Sequence, residues 1–196
     1  YGVGINDATY PIKIKDLASG KRIVCPYYTV WSNMLGRCYV ENSRFKAYST
    51  KYVCNEWLTF SNFKSWMEKQ DWEGNVLDKD LLFDGNDVYS EKTCLFIPVA
   101  VNNFLVSRAS VRGNHLMGVR ISYDRFKSYS RENGKQVHLG CYSSEIDAHI
   151  AYLKHKLILT KDLMTKYSSP KLQEGLSRVR DKLIKHITMK LPLEYF

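Results

Sequence analysis

The residues best equipped for chemistry fall into two groups. Asp78, Lys79 and Asp80 set two carboxylates around one ammonium, and the carboxamides of Asn102 and Asn103 follow further along. The second group, Arg120, Tyr123, Arg125, Lys127, Tyr129, Arg131 and Lys135, interleaves basic and aromatic side chains. Alternate residues of a strand share a face, and a two- or three-stranded ribbon fits the major groove of DNA, which is ~12 Å wide. Arginine can read a guanine edge with two hydrogen bonds, whereas lysine positions phosphates. Not all seven of these side chains can point the same way.

Charge points in the same direction. The formal net charge is +9, and it is unevenly placed. Residues 1–103 hold 12 Lys and Arg against 12 Asp and Glu, whereas residues 104–196 hold 17 against 8. A basic excess confined to one half suits a polyanion-binding module, because phosphate contacts supply most of the salt-dependent affinity for nucleic acid. Cys25, Cys38, Cys54, Cys94 and Cys141 make an odd count with no CxxC pair. That speaks for free, mostly buried thiols in a reducing compartment and against a structural zinc site. No apolar run approaches the ~20 residues of a membrane span, and Tyr1 to Tyr10 lacks the pattern of a secretory signal.

Elements that could position these groups can be read from periodicity. Residues 1–26 suit an arm or a short hairpin. Val30, Trp31, Met34, Leu35 and Cys38 recur at helical spacing, and Trp57, Phe60, Phe63, Trp66 and Met67 do so again, with core packing as the role of these aromatics. A polar stretch, 40–51, separates the two helices. Val76 to Leu82 reads as a strand, and Asp84-Gly85-Asn86-Asp87 as a turn returning the chain into Val88-Tyr89. Cys94 to Pro98 is the next apolar run, and Val99 to Arg108 the helix after it, with Asn102 able to face back towards Asp78 and Asp80.

Three short strands are expected after residue 114, over 118–123, 126–131 and 135–142, with Asn133-Gly134 as a hairpin turn. Ser143-Ser144-Glu145 opens a helix with an apolar stripe through Ile150, Ala151, Leu153, Leu157, Ile158 and Leu163. A second, basic amphipathic helix follows over Leu172 to Leu191. It could pack on its own domain or supply a homodimer interface, which two-fold recognition would require.

Two resemblances are carried by these segments. Trp31 to Tyr39, Val53 to Leu58 with Phe60 and Phe63, Leu77 to Leu82, and Val88 to Pro98 with Asn102 resemble phage HNH-endonuclease-like proteins over most of residues 27–105. Gly118-Val119-Arg120, Gly134-Lys135, His138 to Tyr142, Ser144-Glu145, Ala148 and Ala151-Tyr152 are similar to the Apetala-type domain of plant ethylene-response factors, which also occurs fused to phage HNH proteins.

The resemblances imply an α+β chain in three parts. An HNH-like domain, 1–106, would consist of a helical region and a ββα unit. A linker, 107–114, leads to a DNA-binding domain, 115–196, with a three-stranded antiparallel sheet on a helix and a C-terminal helical extension. In the Apetala-type fold the sheet lies in the major groove, so Arg120, Tyr123, Arg125, Lys127, Tyr129, Arg131 and Lys135 become the expected contacts to double-stranded DNA. In the HNH fold a metal sits between a strand carboxylate and a helix Asn or His. Asp78 and Asn102, or its neighbour Asn103, take those positions, with magnesium or manganese as the ion.

Lys79 stands where the base histidine would be and Thr93 where the middle asparagine would be, while His115, His138, His149, His155 and His186 all lie outside the motif. Lys79 as base, with Asp80 orienting water or joining the metal, completes the implied site. The function expected is a metal-dependent DNA endonuclease acting in the cytoplasm of an infected bacterial host. The alternative is a non-catalytic DNA-binding regulator or host-takeover factor on an HNH scaffold.

Overall fold

The computed structural model of the chain describes residues 2–40, 50–106, 113–132 and 134–196. Most of the expected polar stretch at 40–51, most of the expected linker and Asn133 of the hairpin turn lie outside the described residues. The fold is α+β, with five helices, three two-stranded sheets and one three-stranded sheet among the described residues. They form two compact units, Tyr1–Val99 and Ala100–Phe196. No helix of the described residues is long and apolar enough to cross a membrane.

In the first unit, strands β1 (Lys13–Lys15) and β2 (Arg22–Val24) form an antiparallel hairpin. Helix α1 (Pro26–Tyr39) starts with Pro26 in its first turn, where a missing N–H costs nothing. Its Trp31, Met34 and Leu35 are buried with Trp57, Phe60, Phe63, Trp66 and Met67 in one aromatic core. Trp31 Nε1 donates to the Trp57 carbonyl at 2.6 Å, so the indole N–H is satisfied where water cannot reach it. The second helix does not begin at Trp57. A 3-10 turn, Asn55–Leu58, precedes α2 (Phe60–Met67), and Thr59 between them is extended. The N-terminal arm causes the break: Ile5 N–H donates to Leu58 O at 2.8 Å, and Ile5 O accepts from Phe60 N at 3.0 Å.

Strand β3 (Tyr52–Val53) pairs in parallel with β5 (Val88–Tyr89), and β4 (Asn75–Asp78) pairs antiparallel with β6 (Leu95–Pro98). Two expectations are corrected here. The strand expected to run to Leu82 stops at Asp78, and the turn at 84–87 does not fold β5 back onto it. Helix α3 (Val99–Leu105) follows Pro98 directly, and from Ala100 onward it belongs to the second unit. The thiols are free, but only Cys94 is fully buried; Cys25, Cys38 and Cys54 are half-buried and Cys141 is exposed.

The second unit is a meander, β7 (Val119–Ser122), β8 (Arg125–Glu132) and β9 (Lys135–Tyr142), with helix α4 (Glu145–Lys166) packed against it and α5 (Pro170–Thr188) against α4. Ser144 caps α4 by accepting from Asp147 N at 3.4 Å. Ala148, Ile150 and Leu153 of α4 are buried, as are Leu172, Leu176, Val179 and Leu183 of α5. Ile158, expected on the apolar stripe of α4, is instead exposed.

His149 is buried and ties three segments together. Leu193 N–H can only donate, so Nε2 accepts it at 3.0 Å and Nδ1 carries the proton given to Met117 O at 2.8 Å. Lys156, on the same helix, donates to Phe104 O at 2.5 Å with the rings of Phe104 and Phe196 at 3.5 and 4.5 Å. Burial pushes its ammonium down to about 7, and the ring faces are the groups that favour the charged form there.

Gly118 sets how closely α4 approaches the sheet. Its φ is +78°, and a Cβ there would stand 2.3 Å from the Tyr152 ring. Gly134 has the same φ of +78° but open space around it. Gly134→Ala should therefore cost only the left-handed backbone penalty, about 1–2 kcal/mol. Gly118→Ala should add overpacking of about 1–3 kcal/mol. Denaturant unfolding of the two variants measures the difference, which vanishes if Tyr152 can move aside freely.

Candidate nucleic-acid interface

Cross-strand pairing sorts the side chains of the three-stranded sheet between its two faces. Val119 lies opposite Ser128, Arg120 opposite Lys127, Ile121 opposite Phe126 and Ser122 opposite Arg125. Across the second junction, Lys127 lies opposite Cys141, Ser128 opposite Gly140, Tyr129 opposite His138, Ser130 opposite Val137 and Arg131 opposite Gln136. Partners share a face. Ser128 and Ser130 are buried on the α4 side, and Glu132, on their parity, reaches His155 of that helix at 3.7 Å. The opposite face therefore carries Arg120, Ser122, Arg125, Lys127, Tyr129, Arg131, Gln136, His138 and Cys141.

This outer face holds four permanent cations and no carboxylate. Among the described residues none of Arg120, Arg125, Lys127 or Arg131 has an ion-pair partner. Arg120 lies over the Tyr129 ring at 5.3 Å, and His138 packs against the same ring at 5.1 Å. His138 Nε2 then meets Cys141 Sγ at 3.6 Å. The stack restricts the Arg120 guanidinium before any ligand arrives, which lowers the ordering cost of a contact.

Five of the seven expected contacts share this face. Two do not. Tyr123 sits in the turn between β7 and β8, 98% exposed, with φ at 55°. Lys135 opens β9 opposite Glu132, on the parity of the helix side, although its side chain is exposed. Sequence reading missed Gln136, His138 and Cys141. Its signal was present only in part: the alternation of β9 makes Val137, Leu139 and Cys141 look like one apolar face. A bulge in β9 breaks that alternation, for Leu139 has no partner between the Ser128–Gly140 and Tyr129–His138 pairs. Gly140 beside it has φ of +134°, a conformation that marks the position after the fact.

The carboxylate group of the first unit is arranged differently. Asp78 Oδ1 accepts the N–H of Asp80 at 3.0 Å and of Leu81 at 2.7 Å, closing the turn that ends β4. Burial raises its pKa above the usual aspartate value, assisted by the neighbouring Asp80 and opposed by the Leu81 N–H. Lys79 is 3% exposed, with Nζ held by Asp80 Oδ1 at 2.5 Å and by Asn86 O at 2.8 Å, and the Tyr89 ring at 5.8 Å. Asn86 returns the favour by donating to Lys79 O and Val88 O. Thr93 donates to Val88 O at 2.7 Å and so also fastens the 79–93 loop.

These residues do not fit a magnesium ion. One oxygen of Asp78 is committed to two N–H groups, Lys79 places a cation beside it, and no three His, Cys, Asp or Glu converge among the described residues. Asn102 is half-buried and Asn103 exposed on α3. Buried Cys94 and half-buried Cys38 have thiols pushed up to about 12 and about 11, which leaves them protonated at neutral pH.

Comparison with protein-family models, with curated proteins and with solved structures finds no match.

Because the folded pKa of Asp78 is raised, its contribution is most favourable below the unfolded aspartate value and is lost as pH rises through the folded one. Asp78→Asn keeps an oxygen acceptor for both N–H groups without the buried charge. Its melting temperature should equal wild type at acidic pH and exceed it at neutral pH. Asp78→Ala removes the acceptor and should cost about 1–3 kcal/mol throughout. A neutral-pH loss in Asp78→Asn as large as in Asp78→Ala would show that the charge itself holds the turn.

Proposed function

We propose that this chain is a DNA-binding protein whose second unit lays the outer face of β7–β9 into the major groove of double-stranded DNA. One observation carries the reading: Arg120, Arg125, Lys127 and Arg131 project from a single sheet face that has no acid on it, with α4 covering the other. Cations without an acid partner displace condensed counterions from the phosphate backbone. The resemblance to ethylene-response-factor domains supports the same docking, since the antiparallel sheet braced by one helix is the arrangement it implies.

Within that face the roles divide by chemistry. Arg120, held over Tyr129, suits bidentate contact to a guanine edge, and Lys127 opposite it suits a phosphate. Gln136 and His138 bring hydrogen-bonding groups of the kind that read bases. The first unit enters this reading as a scaffold in which Asp78, Lys79, Asp80 and Asn86 build a loop. Cleavage would require those groups to leave their present bonds.

Binding is measured by fluorescence anisotropy on a site selected from random duplexes, across a salt series. Arg120→Ala should cost about 1–3 kcal/mol on the selected site and relax preference at one position. Lys127→Ala should weaken all sequences alike and reduce the salt slope by about 1. No retention of any duplex at low salt would overturn the proposal. Incubated with magnesium or manganese, supercoiled plasmid should stay intact. Nicking that disappears in Asp78→Asn would replace the reading with a metal-dependent endonuclease.

A further inference from the structure

We infer that the β1–β2 hairpin, Lys13–Val24, is a second nucleic-acid-binding element that meets the phosphate backbone of double-stranded DNA. Its register places Lys15 opposite Arg22 and Lys13 opposite Val24, so Lys13, Lys15 and Arg22 share one face of the ribbon. Like charges directly opposite on paired strands are destabilising. The cost is not relieved locally, for none of Lys13, Lys15, Lys21 and Arg22 has an ion-pair partner among the described residues.

Asp16 is the one acid between Lys13 and Val24, and its hydrogen bonds are made within the turn. Its carboxylate accepts Ala18 N at 3.1 Å, Ser19 N at 3.3 Å and the Ser19 hydroxyl, and the Ser19 hydroxyl bond holds its pKa below the usual range. The tip is further closed by Gly20 N donating to Asp16 O at 2.8 Å and Asp16 N to Lys21 O at 2.8 Å. The acid thus shapes the turn and leaves the basic face uncompensated.

Apart from half-buried Val24 at its base, the strands of the hairpin are exposed. Ile14 and Ile23, paired on its second face, are each 51% exposed, and Leu17 at the tip is 96% exposed. A ribbon solvated on both faces buries little to hold itself together. Its shape fits the partner named: two strands about 5 Å apart enter a groove ~12 Å wide, with a cationic face for the phosphates and an apolar face behind. The half of the chain that is neutral in sum therefore carries a locally cationic surface.

The inference rests on the reading that the chain binds DNA, and the test separates the two. Full-length K13A/K15A/R22A is compared with a control that removes the same charge from exposed sites, K69A/K92A/K154A, and with a sheet variant, R120A/R125A/K127A. All are titrated onto a mixed-sequence duplex over a salt series, with thermal unfolding confirming each fold.

The hairpin variant should lower the salt slope by about 2 to 3 and weaken binding more than tenfold, against less than threefold for the control. A photo-crosslinker at Leu17 should capture duplex DNA. Hairpin and control variants behaving alike, with the sheet variant impaired and Leu17 unlabelled by DNA, would overturn the hairpin and leave the sheet standing. A sheet variant that binds as wild type while the hairpin variant fails would do the reverse. A wild-type chain that binds no duplex overturns both.

Discussion

One extra residue in β9 decides what the second unit presents to a partner. With Leu139 left unpaired, Tyr129 meets His138 and Ser130 meets Val137. Were the strand regular, the side-chain period of two would turn Val137 outward and Gln136 and His138 under the helix. A polar pair beneath α4 would need partners that the apolar surface of Ala148 and Leu153 does not offer. The bulge lets the β7–β8 half and the β9 half satisfy the same core and still place every basic residue of β8 and the hydrogen-bonding residues of β9 on one surface.

That surface can be rigid because its back is crowded. Ser128, Ser130 and Gly118 are small where α4 crosses, and Tyr152 fills the space Gly118 leaves. His149 then joins the β7 approach at Met117 to the C-terminal tail at Leu193 through a single tautomer. Lys156 pulls Phe104 of α3 and Phe196 of the tail onto the same helix. His149 and Lys156 are polar groups buried where only these partners can satisfy them, so the helix has few alternative positions. A groove-facing sheet profits, since flexibility behind it would have to be removed on binding.

How far the amino-acid order revealed this varies with the range of the forces involved. Strands β7 to β9 and the start of α4 were legible, for alternation, the glycine turn and the Ser144 cap act within a few residues. The end of β4 was not. Val76 to Leu82 looks like one apolar run, yet Asp78 folds its carboxylate onto the N–H groups two and three residues on, and Asn86, seven residues from Lys79, takes over the pairing. The β3–β5 pairing was equally invisible, because parallel strands distant in sequence leave no local mark. In the interface, the cations on β7 and β8 were legible, whereas the residues of β9 depended on a bulge whose glycine conformation no periodicity announces.

The same contrast applies to charge. A sum over the first half of the chain gives zero, but folding does not average charge, it sorts it. Asp16 is drawn into a turn, Asp87 pairs with Lys51 and Asp80 with Lys79, so these acids are spent on loops while Lys13, Lys15 and Arg22 remain on a ribbon with no acid opposite them. In the second unit, Glu132 is likewise taken by His155 on the covered side of the sheet. Interactions at 3 Å consume a carboxylate locally, whereas an uncompensated cation is felt out to the Debye length, roughly 8 Å at physiological salt. The surfaces that a polyanion would sense are therefore set by where the acids are used up.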